Sequence, residues 1–374
     1  MPEKPKLAIY WAASCGGCEI AVVNLHEKLL EVDAALDLMF CPCLLDTKKK
    51  DIEALPDGAI AVTLFNGALR TEENVEMARL LRRKSRILVA FGSCAKGGCI
   101  PALANFTTTD ELLATLYRDN PSLDNPEALI PAGTTSMPEG DIHLPALLGR
   151  VLHLAQAVEV DYYVPGCPPE SHQIWNVIET ILSGDLPPKG STIGCGTLTV
   201  CDDCDRTKED KRITAFRRSY EFYPDPTACL LEQGLLCMGI ATRSGCGAPC
   251  TKANMPCSGC YGAPDGVSDQ GAAMVAALGS VMDIGDTAGL SEEAIAGRVD
   301  AFLAAVPDYA GLFYKYTLAS STLGGRVGSS KSTPLSPPLS GGKCSAPPLT
   351  RGGREGLTQV PDCNLSKQSG EIAE

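Results

Sequence analysis

Eighteen cysteines against four histidines define the chemistry open to this chain of 374 residues. Thiolate is a soft metal ligand and a redox nucleophile, and a reducing compartment disfavours disulfides. A chain this long needs no disulfide staples, so metal binding or redox work is the expected use. Three CxxC pairs stand out: Cys15–Cys18, Cys201–Cys204 and Cys257–Cys260. Two intervening residues let both sulfurs face one centre while the backbone turns, and glycine between them allows tight curvature. Cys94 and Cys167 follow apolar strand-like runs, as the first CxxC does. These four, Cys15, Cys18, Cys94 and Cys167, make one candidate quartet. Eight more cysteines follow in order and divide simply into Cys201, Cys204, Cys229, Cys237 and then Cys246, Cys250, Cys257, Cys260. Four-cysteine sites suit iron–sulfur clusters or zinc, and redox thiols remain open. Three sites in one chain favour an electron relay. Cys41, Cys43, Cys99 and Cys195 are left over as buried bystanders.

Residues 1–186 carry the elements that must position the first quartet. Apolar runs at 6–11, 36–44, 59–65, 87–91 and 160–164 read as strands, separated by helical spacing at 19–30, 72–84 and 170–182. Short apolar strands alternating with helices predict an α/β fold, a parallel sheet covered on both faces. In such folds ligands bind beyond the carboxyl ends of the strands, where the cysteines fall.

From Cys195 to Cys260 the texture changes: cysteine, glycine and proline are frequent and no helical or strand period is sustained. Such a stretch is expected to need its cysteines to organise it. Helices are expected at 267–282 and at 291–306, the second with Ser291 as N-cap and Glu292 and Glu293 in its first turn. Residues 324–374, rich in glycine, proline and serine, read as a disordered tail in which Cys344 and Cys363 are bystanders. The expected domains are 1–186, 187–282, a helical extension 283–323 and that tail.

The net charge of −13 argues against a nucleic-acid or anionic-membrane partner. No apolar run is long enough for a transmembrane helix and no secretory segment is recognisable, so no membrane insertion and a cytoplasmic location are expected. Trp11 and Trp175 are expected in the core, and His26 and His172 on helices away from any ligand set. The Arg82-Arg83-Lys84 run reads as a solvated helix end, and Glu19 as a favourable first-turn charge.

SCGGCE (14–19), GSCA (92–95) and PGCPP (165–169), in this order, resemble the cluster-binding motifs of the small, electron-transferring subunit of nickel–iron hydrogenases. The resemblance covers residues 5–282. It implies a flavodoxin-like N-terminal domain holding a proximal 4Fe–4S cluster on Cys15, Cys18, Cys94 and Cys167. ACLLEQGLLCMG (228–239), CGAPC (246–250) and MPCSGCYG (255–262) resemble the cytoplasmic viologen-reducing subgroup. That implies a distal 4Fe–4S cluster on Cys201, Cys204, Cys229 and Cys237 and a medial one on Cys246, Cys250, Cys257 and Cys260. A separate nickel–iron large subunit would split hydrogen. A downstream iron–sulfur subunit, such as heterodisulfide reductase, would accept the electrons. Periplasmic relatives have HxxC where this chain has Cys201–Cys204, and three medial cysteines where Cys250 supplies a fourth. The family often carries an acid at the position of Asn66, which reads here as a neutral loop substitution. The extension past residue 283 has no counterpart. Two other readings compete: a component like the 20-kDa quinone-site subunit of respiratory complex I, which carries adjacent cysteines rather than CxxC, and a non-enzymatic zinc scaffold.

Overall fold

The computed structural model describes residues 4–209, 211–306 and 308–324. The expected tail, with Cys344 and Cys363, lies outside the described residues except for Gly324. The chain opens with β1 (Lys6–Trp11), α1 (Gly17–Val23), α2 (Lys28–Ala35), β2 (Asp37–Phe40) and α3 (Lys49–Glu53). It continues through β3 (Ile60–Asn66), β4 (Leu69–Thr71), α4 (Glu72–Lys84), β5 (Ser85–Phe91) and α5 (Ser93–Gly97). Then come α6 (Thr109–Tyr117), β6 (Thr134–Met137), β7 (Gly140–His143), β8 (Leu147–Leu152), β9 (Tyr162–Val164) and α7 (Ser171–Ser183).

Five strands form one parallel sheet in the order β2-β1-β3-β5-β9. Alternate residues of each strand enter different cores, as the two-residue side-chain period requires. Leu7, Ile9, Val62 and Leu64 pack with Ala21 of α1 and Ile174, Val177 and Ile178 of α7. Ala8, Tyr10, Phe65 and Leu88 pack on the other face with Val75, Ala78 and Leu81 of α4. Burial on both faces explains why the strands read as continuous apolar runs. Strand order reverses between β1 and β3, and loops leaving there diverge to open a crevice. The strand ends lie in register: Trp11 pairs with Asn66, Asn66 with Phe91, and Phe91 with Val164. The loops that follow β1, β5 and β9 therefore start from one edge, and they carry the first quartet.

Several expectations change here. The helix expected over 19–30 is two helices, because His26 takes a φ of 54° and turns the chain between them. No single buried stripe runs through that segment: Ile20, Val23 and Leu30 are exposed. The strand expected over 36–44 stops at Phe40, and a turn follows. Trp11 is 41% exposed rather than core, and Trp175 is half-buried beneath the Lys28 ammonium. Arg82 is no solvated end. It pairs at 2.5 Å with Asp161, whose side chain is 1% exposed, and Lys189 pairs with the same carboxylate at 2.6 Å.

The second half holds α8 (Val200–Asp203), α9 (Pro249–Lys252), α10 (Gln270–Val281), α11 (Glu292–Leu303) and α12 (Tyr309–Phe313). Asp269 caps α10 through the Ala272 N–H at 2.9 Å, and Ser291 caps α11 through Ala294. Contrary to expectation, the cysteine-rich stretch has an apolar core. Leu230, Leu235 and Met238 pack with Met274 and Leu278 of α10, Phe302 of α11 and Phe313 of α12. Much of that core comes from the later helices, which is why the stretch looked underfurnished alone. The extension packs on the body: the Gln156 amide donates to the Ala319 carbonyl at 3.2 Å, and the Cys99 N–H to the Tyr316 carbonyl at 3.3 Å. Among the described residues, no helix is long and apolar enough to cross a membrane.

Candidate functional site

The sixteen cysteines among the described residues are all free thiols. Cys15 and Cys18 flank the start of α1, Cys94 lies in α5 just past β5, and Cys167 lies in the turn past β9. Cys18 and Cys94 are buried, whereas Cys15 and Cys167 are exposed. Burial, then the negative charge of Glu19, holds the Cys18 thiol well above its ordinary pKa, with Cys167, Cys15 and Cys99 as its cysteine neighbours. Those neighbours show that the sulfurs of this region share one space. Gly92 makes room for it: a Cβ there would stand 2.5 Å from the Cys18 sulfur, and its φ of 83° already disfavours any other residue.

The eight later cysteines lie in two neighbourhoods that overlap at Cys257. Burial pushes the Cys201 thiol up to about 11, and Cys237, Cys229 and Cys204 are its cysteine neighbours. Cys237 likewise feels Cys229 and Cys204. Cys260 feels Cys246 and Cys250, and burial pushes it up to about 12. Cys257 lies between the groups. It neighbours Cys260 and Cys237, and its N–H donates to the Cys237 sulfur at 3.3 Å. Gly239 sits in the resulting cradle, where a Cβ would stand 3.6 Å from the sulfurs of both Cys201 and Cys237. The first quartet adjoins the later ones: Ser93, next to Cys94, donates through its hydroxyl to the Cys260 carbonyl, and Cys167 lies near Cys260.

Among the described residues, no three or more His, Cys, Asp or Glu side chains are gathered tightly enough to hold a single metal ion. A four-iron cube is wider than one ion, and thiolates that ligate it stand further apart. Sulfur-only groups, close glycine backbone and buried surroundings fit such a cluster.

Sequence reasoning passed over three features of this region. Cys99 was expected to be a bystander, yet its sulfur lies 3.7 Å from that of Cys167 and has Cys94 as a neighbour. Its φ of 49° folds it back there, which no spacing reveals. Ser93 ties the turns together: its hydroxyl donates to the Cys260 carbonyl and accepts from the Gly166 N–H at 3.1 Å. Asn66 is no loop substitution. It ends β3, is fully buried, and its amide donates to Glu19 at 2.7 and 2.8 Å and to the Ser14 hydroxyl at 2.9 Å. Glu19 therefore does more than favour the first turn of α1. Of the other leftovers, Cys195 stands apart beside Arg243 and Lys96, and His172 bonds the Gly245 carbonyl at 3.0 Å.

Known proteins share this arrangement of sequence. The iron-sulfur subunit of the F420-non-reducing hydrogenase of Archaeoglobus profundus is 38% identical over 324 residues, covering 85% of this chain and 97% of that protein. A subunit of the F420-non-reducing hydrogenase of Methanothermobacter marburgensis is 35% identical over 326 residues, 86% of this chain and 97% of its own length. The chain belongs to this family of hydrogenase small subunits. The family model for the NADH ubiquinone oxidoreductase 20 Kd subunit also matches, over residues 15–181. That match ends before the eight later cysteines, whereas a 324-residue match is too long to omit their stretch. A chain in the crystal structure of an NAD+-reducing [NiFe]-hydrogenase in its H2-reduced state is 32% identical, covering 49% of this chain and 93% of that one, with a TM-score of 0.42. As a hydrogenase small subunit, the chain is one component of an oxidoreductase complex.

Proposed function

We propose that this small subunit relays electrons from hydrogen oxidation on a separate nickel–iron large subunit, through three 4Fe–4S clusters, to a downstream iron–sulfur acceptor such as heterodisulfide reductase. The observation that carries this reading is the continuity of the cysteine groups. Ser93, beside Cys94, bonds the Cys260 carbonyl, and the Cys257 N–H reaches the Cys237 sulfur. A row of adjoining sulfur sites suits charge transport better than separate structural sites would.

Cys15, Cys18, Cys94 and Cys167 would hold the proximal cluster on domain 1–186. Cys246, Cys250, Cys257 and Cys260 would hold the medial one, and Cys201, Cys204, Cys229 and Cys237 the distal one, on domain 187–282. When bound, such clusters accept and release single electrons at potentials set by burial and hydrogen bonds to sulfur. The chain's own residues supply those settings. Burial keeps the Cys18, Cys201, Cys257 and Cys260 thiols protonated, so iron takes the place of those protons on binding. The Cys257 N–H donates to the Cys237 sulfur and stabilises its negative charge. No residue of this chain is assigned to hydrogen cleavage. The proposed complex is cytoplasmic and reduces viologens, without nucleic-acid or membrane partners.

The test is Cys18→Ala in the assembled complex. Hydrogen-dependent viologen reduction is expected to fall to background, while hydrogen–deuterium exchange at the large subunit persists wherever the complex still forms. Unchanged viologen reduction would reject the ligand role of Cys18.

A further inference from the structure

Neither the spacing nor the proposed cluster assignments give Cys41 and Cys43 a role. The structure places their sulfurs 3.3 Å apart. Local sequence causes this. β2 ends at Phe40, and Cys41-Pro42-Cys43-Leu44 makes a turn in which the Cys41 carbonyl accepts from the N–H groups of Leu44 and Leu45, both at 2.8 Å. Proline at the second position of a turn presets its φ, and the turn folds Cys43 back over Cys41. Cys41 is 1% exposed and packs in the sheet core, whereas Cys43 is exposed. The pair lies on the wall of a cavity of about 270 Å³ whose lining includes Trp11, Cys15, Glu19, Ile20 and Leu44.

We infer that Cys41 and Cys43 form a redox-active dithiol that closes to an intramolecular disulfide by exchange with external disulfides. An exposed attacking sulfur beside a buried resolving one is the arrangement such exchange requires. The Cys43 thiolate attacks one sulfur of the external disulfide, forming a mixed disulfide and releasing one thiolate. Cys41 then attacks the Cys43 sulfur, its proton passing to the second departing thiolate. The chain loses two electrons and two protons, and one external disulfide becomes two thiols. Rotation of the two side chains within the existing turn brings sulfurs now 3.3 Å apart toward the ~2.05 Å of a bond. The inference stands independently of the cluster assignments, since neither cysteine belongs to them.

The experiment uses the full complex, equilibrated anaerobically in buffers of graded glutathione and glutathione disulfide, quenched in acid, unfolded, alkylated and digested with trypsin. The peptide 29–48 holds these two cysteines and no other. With more oxidising buffer it is expected to pass from doubly alkylated to unalkylated and two hydrogens lighter, both labels vanishing together. Cys41→Ser is expected to trap a glutathione adduct on Cys43, with iron content unchanged. Cys43→Ser is expected to keep Cys41 fully alkylated in every buffer. Persistent double alkylation of the wild-type peptide, or glutathionylated Cys43 beside alkylated Cys41 in that peptide, would overturn the inference.

Discussion

At the scale of single residues, Asn66 shows how one position can change its neighbours' electrostatics. Its amide holds the Glu19 carboxylate, and Glu19 in turn raises the Cys18 thiol. Replacing Asn66 with Asp turns a donor into a second carboxylate against Glu19. Two carboxylates in contact raise each other's pKa, and at a pH high enough to ionise both, the added negative charge disfavours reduction of whatever Cys18 ligates. Potentiometric EPR of N66D is expected to show the proximal signal moved to lower potential and the other two unmoved. An unmoved proximal signal would detach Asn66 from that site. Asp161 gives a second residue-scale prediction. Burial alone would raise its carboxyl, but Arg82, Lys189 and the Leu88 N–H hold it below the usual carboxylate range. A depressed folded-state pKa contributes stability above the unfolded value, near 3.9, and loses it as pH falls through the folded one. Asp161→Asn should therefore cost about 2–4 kcal/mol at neutral pH, as for breaking a buried pair that one partly exposed lysine screens. Thermal unfolding midpoints of variant and wild type should converge as the pH drops below about 4. A gap that stays constant with pH would show that the ion pairs contribute nothing.

At the scale of elements, the sheet was legible and much of its surroundings was not. β1, β3 and β5 are buried on both faces, so continuous apolar runs announced them. The placement of the first quartet followed, because strand ends in a parallel sheet share one edge. β6 and β7 escaped notice because Thr134–Met137 and Gly140–His143 are exposed throughout and show no apolar alternation. Cys99 escaped because a positive φ, not a spacing, carries it to Cys167. The same turn explains how the extension is held. Gly98 ends α5 with a φ of 87°, and a Cβ there would stand 2.5 Å from the Ala319 Cβ and 2.6 Å from that of Ala102. Gly98→Ala should lose about 2–4 kcal/mol, from left-handed backbone strain plus overpacking. Limited proteolysis should then cut first within residues 309–320. Wild-type resistance in that variant would contradict the packing described.

At the scale of the whole molecule, the α/β scaffold and the cysteine-rich part share an apolar seam and polar stitches across it. Ala68, Cys94, Ala102 and Val151 of the scaffold pack in the same core as Leu230, Met238 and Met274. Ser93 bonds both Gly166 and Cys260, and the Tyr261 hydroxyl donates to Gln173 of α7 at 2.7 Å. These contacts fix the first quartet against the next, which a relay requires. None of the proposed ligands lies in residues 325–374. A chain ending at residue 324 is expected to keep its full iron content, measured by metal analysis, and loss of iron on truncation would give the tail a structural role. The most direct measurement is iron and acid-labile sulfide per chain in the anaerobically purified complex. Three four-iron clusters predict about twelve of each. About four of each, or none, in a complex that still reduces viologen fully with hydrogen would contradict the relay.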